Sequence, residues 1–415
     1  MDERIVLQGG TLIDGTGSKP VEDSVIVIEG QRIVGVGKSG EAKISHQSKI
    51  LDISGKVVMP GLIDAHIHFS GSRSHDRDVN LFESEGLRLL RAANDARALL
   101  DAGFTTCKDM GGANGVPLRD AVTEGLIRGP RILAARYNLS PTFGHGDRQD
   151  LSAKLVREIN PGICDGVGEC RKAVRLAFRA GANFVKVSAT GGVGAGPRDS
   201  GHRPGHTVEE LKAIVDEANK FGSYVSSHTQ GVTGIKNAIV AGVKTIEHGD
   251  FMDEECCRMM IERSSILTTT LSIVHQFTDP KARDYGLSSW QIQANVDKVV
   301  EYTENVRMAH DMGVVIAAGT DFSGPPLLQM GRNAMELELY VDKCGFDPMD
   351  AVVSATMNGA KACCLEKEIG TIQVGKRADI LVVDGDPLKD IGVLQSKGRI
   401  SLVMKDGVIE NSHGL

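Results

Sequence analysis

Val57-Val58-Met59-Pro60-Gly61-Leu62-Ile63-Asp64-Ala65-His66-Ile67-His68 is an apolar run that closes on two histidines, and its reading decides the fold. Residues two apart on a strand share a face, so a buried strand ending in His66 and His68 presents both imidazoles to one point. Such a pair reads either as core histidines satisfied by backbone partners or as two ligands of one metal ion. Ser70-Gly71-Ser72 follows as a loop signal. Loops after the carboxyl ends of strands are where parallel α/β folds carry their active sites.

Beyond this run strand and helix alternate. Apolar residues at helical spacing predict helices over 85–102, 169–180, 208–221, 232–241 and 253–263. Several stop at a glycine, namely Gly103, Gly181, Gly222 and Gly242, the residue a left-handed helix terminus prefers. Short apolar runs follow: Phe104-Thr105-Thr106, Phe184-Val185-Lys186-Val187, Tyr224-Val225-Ser226-Ser227-His228 and Lys244-Thr245-Ile246-Glu247-His248. Adding 131–135, 266–271, 314–321 and the opening strand gives about eight strands, the number a (β/α)8 barrel needs. A doubly wound open sheet is the alternative, but no Gly-rich phosphate turn follows the first strand. The expected fold class is therefore α/β, a (β/α)8 TIM barrel.

Both termini have a different texture. Ile5-Val6-Leu7-Gln8, Ser24 to Glu29 and Arg32 to Val36 are β-branched runs separated by turns at Gly9-Gly10, Asp14-Gly15 and Glu29-Gly30, which predicts a small antiparallel unit. Strand-turn patterns recur over 378–385 and 400–407, with nothing helical expected between them. The expectation is a small β-sandwich domain built from 1–56 and 366–415, with the barrel over 57–365.

Composition narrows the function. A chain of 415 residues with 41% hydrophobic content can bury a large core. Its 47 basic and 54 acidic residues give a net charge of −7 without a basic block, so no nucleic-acid partner is expected. The start, Met1-Asp2-Glu3-Arg4, is acidic and leads only into a short strand-like run, and no apolar stretch is long enough to span a bilayer. The reading is a soluble cytoplasmic protein with no membrane partner. The eight cysteines form no Cys-x-x-Cys unit, so they suggest neither a structural zinc site nor a disulfide framework. They read as reduced thiols buried as small apolar residues.

Polar residues at the strand ends point to chemistry. The opening strand ends in His66 and His68, the fourth in Lys186, the fifth in His228, the sixth in His248 and the eighth in Asp321. Alone, Lys186 reads equally as a barrel-mouth ion pair and Asp321 as a helix cap. A barrel, however, brings all these strand ends to one mouth, where four imidazoles, a carboxylate and a lysine suit a metal.

These residues carry a resemblance. Pro60 to His68, the Lys186 strand, His228, Ile246-Glu247-His248-Gly249, Gly319-Thr320-Asp321 and the tail Gly375 to Val383 resemble the amidohydrolase superfamily over almost the whole chain. Within it the sequence is most similar to the imidazolonepropionase-like group that includes prolidase-like and arginine-type dipeptidases. Gly103-Phe104-Thr105-Thr106, Thr142 to Asp147 and Ser188 to Val193 add local likeness. The resemblance implies two divalent ions, one held by His66, His68 and Asp321 and the other by His228 and His248. Lys186 would bridge them as a carbamate, since a bare ammonium beside two dications would be repelled. Zinc is the default ion, manganese or cobalt the alternatives, and a mononuclear site the runner-up.

Such a centre sets up attack of a metal-activated hydroxide on an amide, lactam, ester or cyclic imidazolone. Asp321 then doubles as ligand and base, and His145, in the loop after the third strand, is a candidate donor to the tetrahedral oxyanion. Dipeptidase-like relatives carry a substrate-contacting tyrosine two residues past the fifth-strand histidine; here that place is Gln230. Arg198 and Arg203 lie in the loop after the fourth strand, and Arg203 is the candidate clamp for a substrate carboxylate. The expected activity is hydrolysis of a carbon–nitrogen bond in a small amide such as a dipeptide or N-acyl amino acid, by a homo-oligomer. A cyclic amide or imidazolone hydrolase or a deaminase of the same superfamily is the alternative, and a non-catalytic member is the third reading; the latter predicts lost ligands, and none is missing.

Overall fold

The computed structural model describes residues 4–40, 48–76, 78–192 and 198–413, apart from the side chain of Asn80. Met1 to Glu3, Val193 of the likeness after the fourth strand and Pro197 of the following loop lie outside the described residues.

The opening run is two strands, not one. Val57–Pro60 pairs antiparallel with Ile380–Val383 and parallel with Arg4–Leu12, so it belongs to the terminal sheet; Leu62–Ile67 begins the barrel. Leu62–Ile67, Phe104–Asp109 and Arg131–Ala134 lie parallel in sequence order. Asn138–Leu139, Val185–Ser188, Val225–Gly231, Thr245–Phe251, Ile266–Thr269 and Ile316–Ala318 continue the parallel order. Arg131–Ala134 and Asn138–Leu139 are two halves of one strand position, broken where Arg136 takes φ 67°; the first half pairs backward and the second forward. The last strand returns to the first through Ile67 and Phe322, with the His68 N–H donating to the Phe322 carbonyl at 2.8 Å. Eight parallel strand positions among the described residues thus close into a barrel, which places every strand's carboxyl end at one mouth.

Helices between the strands bury their apolar stripes on the barrel. Glu85–Asp101, Val208–Lys220, Val232–Ala241 and Glu254–Arg263 lie where helical spacing puts them. Gly166–Arg179 starts earlier than its apolar pattern, because Gly166 and Gly168, poor helix formers, mask its first turn. The long helix Ser289–Asp311 escapes a periodicity reading because its buried positions include Asn295 and Lys298.

The terminal strands form one mixed sheet around a core of Leu7, Leu12, Ile26, Val58, Ile380, Val382 and Leu402. It is mixed, not antiparallel as its turns suggest, since Lys49–Asp52 and Val57–Pro60 run parallel to Arg4–Leu12. The stretch between the C-terminal strands also holds 3-10 turns, Ile391–Gln395 and Lys397–Arg399. Arg131, on the third barrel strand, reaches Asp379 at 2.5 Å and Asp406 at 2.5 Å and so ties barrel to sheet. Asp379 is buried. Breaking a buried pair leaves a charge uncompensated. Arg131→Met is therefore expected to destabilise by about 3 kcal/mol, the low end of the usual range, in chemical denaturation. The low end applies because Asp379 keeps the Asp406 backbone N–H at 2.9 Å; an unchanged denaturation midpoint would show that the pair contributes nothing.

Candidate active site

The barrel brings the strand-end residues of the sequence reading to one mouth. His66 Nε2 lies 3.6 Å and His68 Nε2 3.3 Å from Asp321 Oδ1. The His66 ring is 4.8 Å from that of His248, which is 4.6 Å from that of His228. His145 stacks on His228, with ring centroids 4.0 Å apart and planes 6° from parallel. Lys186 is buried beside them, and its Nζ has no hydrogen-bond partner among the described residues.

The outer partners settle which ring nitrogen faces the site. Backbone carbonyls only accept, so His68 Nδ1 donates to Gly111 O at 3.1 Å and His228 Nε2 donates to Gly191 O at 3.1 Å. His66 Nδ1 meets Glu247 Oε2 at 2.8 Å, and His248 Nδ1 meets Thr270 Oγ1 at 2.8 Å. In their neutral forms His66 and His68 carry the lone pair at Nε2 and His228 at Nδ1, since a neutral imidazole has one donor and one acceptor nitrogen. Burial holds His66, His228 and His248 well below the ordinary histidine range, so the neutral form is favoured. His66 Nε2, His68 Nε2 and a carboxylate oxygen of Asp321 then converge on one point, and the neutral His66 ring turns its lone pair toward that oxygen. Mutually repelling acceptors of this kind suit a cation, and the imidazole and oxygen donors match zinc, manganese or cobalt.

Burial also lowers Lys186 to about 8 and raises Asp321 to about 7. Near neutrality a minor fraction of the amine, far more than for an ordinary lysine, is therefore uncharged, and Asp321 exchanges its proton readily.

Local structure explains these positions. His248 takes φ 73°, which breaks strand alternation and lets Glu247 and His248, neighbours in sequence, both reach His66. Asp321 takes φ 56° just beyond the last strand. Left-handed backbone at a non-glycine residue costs about 1–3 kcal/mol and clusters at functional sites. Asp64, two residues before His66, accepts from the His66 and Thr320 N–H groups and from Asn333 Nδ2, holding the first strand to the segment that carries Asp321. Asp109 accepts from the Phe69 and Gly111 N–H groups, which fixes the carbonyl that orients His68. Gly192 must lack a side chain, because a Cβ there would lie 2.5 Å from the His145 ring and 2.8 Å from His228 Nε2.

Among the remaining candidates, His145 Nδ1 is 3.1 Å from Asp199 Oδ2. Arg203 Nη2 reaches Asp199 Oδ1 at 2.9 Å and donates to the Phe143 carbonyl at 2.7 Å, so its visible partners are in the loops. Arg198 lies over the Phe143 ring. Gln230 is buried, with its N–H donating to Thr190 Oγ1 at 3.0 Å.

Glu247, Lys108, Asp199, Asp64 and the buried Lys298–Asp250 pair, at 2.6 Å, were missed by sequence reasoning. The only available signal for Glu247 was its place beside His248. Its other oxygen lies 3.7 Å from Lys108 Nζ, a fully buried ammonium that also donates to Ser226 Oγ at 3.0 Å. Because such outer partners fix ring orientation, Glu247→Gln is expected to lower metal affinity about 10–100-fold, read by competitive chelation. Unchanged affinity would show that His66 needs no orienting carboxylate.

The sequence pattern of the Amidohydrolase family matches residues 57–409. Ochratoxinase of Aspergillus niger is 32% identical over an alignment covering 99% of this chain and 87% of that protein. Imidazolonepropionase of Symbiobacterium thermophilum is 23% identical, covering 91% of this chain and 87% of the relative. A prolidase crystallised with N-methylphosphonate-L-proline superposes with TM-score 0.90 at 32% identity, covering 99% of this chain and 100% of that one.

Proposed function

Because this chain belongs to the amidohydrolase family, whose members hydrolyse carbon–nitrogen bonds, we propose that it cleaves small acyclic amides carrying a free carboxylate, as in dipeptides and N-acyl amino acids. The observation that carries the metal-dependent part is the convergence of His66 Nε2 and His68 Nε2 on Asp321 Oδ1, beside a buried Lys186 whose Nζ has no hydrogen-bond partner among the described residues. His66, His68 and Asp321 would hold one divalent ion and His228 with His248 a second, zinc by default. Lys186 would bridge them as a carbamate: its neutral amine adds to carbon dioxide and releases one proton, giving an anionic oxygen donor. When bound, the two ions lower the pKa of a water and polarise the substrate carbonyl.

The chain's own groups do the rest. Asp321 takes the proton from the attacking water at its carboxylate and delivers it to the leaving nitrogen. His145 donates toward the carbonyl oxygen as it becomes an oxyanion, held in place by Asp199 and by stacking on His228. Gln230 and Arg203 bind the rest of the substrate, Arg203 as the carboxylate clamp. Support for a carboxylate comes from the prolidase ligand, whose name describes a phosphonyl group on an amino acid. The division into 1–56 with 366–415 and 57–365, a homo-oligomeric state and cytoplasmic residence belong to the same proposal. Its eight free cysteines are in keeping with a reducing compartment, and no helix among the described residues is long and apolar enough to cross a membrane.

The deciding assay pairs each dipeptide with its C-terminal amide and adds cyclic amides, using wild type and Arg203→Met. The clamp predicts that wild type prefers the free acid and that the preference shrinks in the variant through KM. If Arg203 acts only through Asp199 on His145, kcat falls alike for both substrates and the clamp is overturned. Preference for cyclic amides over every acyclic substrate would overturn the substrate class.

A further inference from the structure

A second cluster of metal-binding donors lies apart from the residues at the barrel mouth. Cys164, Cys170 and His206 are all buried, and their sulfur and ring-nitrogen atoms lie within 4.8 Å of one another. They come from separate places: Cys164 precedes the helix Gly166–Arg179, Cys170 lies in that helix, and His206 stands just before Thr207, the cap of Val208–Lys220. The imidazole is poorly satisfied. His206 Nδ1 has Cys170 Sγ at 4.0 Å and Glu210 Oε2 at 3.7 Å, while its buried Nε2 has no partner among the described residues. Nδ1 is the nitrogen that faces the sulfur and the carboxylate, and neither contact is a close hydrogen bond, which leaves this buried nitrogen open to a ligand.

We propose that Cys164, Cys170 and His206 form a third, structural metal site of the zinc class, with Glu210, whose oxygens already accept from the Gly166 and Thr207 N–H groups at 2.6 and 2.8 Å, offering a remaining lone pair for the fourth position. Two sulfurs with an imidazole select zinc over hard cations such as magnesium or calcium, and a site that a fourth protein donor completes is structural. Binding converts two thiols to thiolates with release of two protons and requires no oxidant. The ion would tie the amino ends of two neighbouring helices together beneath the active-site loops. Cys164 N–H donates to Ser140 O at 3.0 Å, at the start of the segment that bears His145. Thr142 Oγ1 reaches Asp165 Oδ2 at 2.6 Å, and Gly205 N–H donates to Ala189 O at 2.7 Å, closing the loop that bears Asp199.

Cobalt(II) separates this site from the mouth, whose donors include no sulfur. Cobalt-loaded wild-type protein is expected to show intense thiolate-to-cobalt charge-transfer absorption in the near ultraviolet. Cys164→Ser with Cys170→Ser should abolish that absorption and lower the metal content by one equivalent per chain, while metal at the mouth is retained. Absence of the absorption in cobalt-saturated wild type overturns the proposal, and this reading stands even if the double variant does not fold. Unchanged metal content in a folded double variant overturns it equally. So does a thiol titration of unfolded, unreduced protein that finds Cys164 and Cys170 joined as a disulfide.

Discussion

Replacing Asp321 with asparagine is expected to lower kcat by more than the about 10²–10⁴-fold that a general base alone supplies, with the fold intact. The loss is larger because one side chain serves twice. Asp321 Oδ1 is the atom on which His66 Nε2 and His68 Nε2 converge, and the same carboxylate carries the proton between water and the leaving nitrogen. The amide keeps the shape but removes the negative charge and the basic oxygen. Folding should survive, because the backbone at φ 56° is a conformation asparagine tolerates and the Asp321 N–H still donates to the His66 carbonyl at 2.7 Å. Metal affinity of the wild type should also decline as pH falls below about 7, where Asp321 of the metal-free protein takes up a proton that competes with the cation. That dependence should weaken in the variant. Steady-state kinetics with circular dichroism and elemental analysis test the assignment, and a near-normal rate in folded, metal-loaded Asp321→Asn would overturn it.

Lys186→Ala is expected to remove metal as well as activity. Wild type should carry two ions at the barrel mouth, and the variant should bind them more weakly by more than the about 10–100-fold that loss of an outer partner costs, since a bridging donor is gone. The buried Nζ, which has no hydrogen-bond partner among the described residues, is the reason to expect this. An ammonium kept only for structure would be paired, as Lys298 is with Asp250 at 2.6 Å. Short carboxylates such as acetate or propionate should restore part of the activity by entering the space left by the side chain and supplying the missing oxygen donor. Normal metal occupancy and normal rate in Lys186→Ala would make the lysine structural. A single ion at the mouth in fully active wild type would reject the binuclear arrangement.

The sequence by itself determined the barrel and the roster of strand-end residues. Helical and strand periods alternate along the chain, and in a closed parallel barrel each strand's carboxyl end is delivered to one mouth. His66, His68, Lys186, His228, His248 and Asp321 could therefore be gathered by counting strands, without knowing a contact. The break at Gly61 was hidden because Val57–Pro60 and Leu62–Ile67 are both fully buried strands of like composition, and only pairing partners separate them. Glu247 was hidden for a geometric reason. Regular alternation puts it on the face opposite His248, and the left-handed turn at His248 that brings both to His66 leaves no mark in composition. The choice of ring nitrogen depends on carbonyls from distant segments, Gly111 for His68 and Gly191 for His228, so it exists only once the barrel has closed. Cys164, Cys170 and His206 show the same limit. Their spacing matches no compact metal motif, and packing of two helices brings their donor atoms within 4.8 Å, because tertiary proximity is independent of separation along the chain.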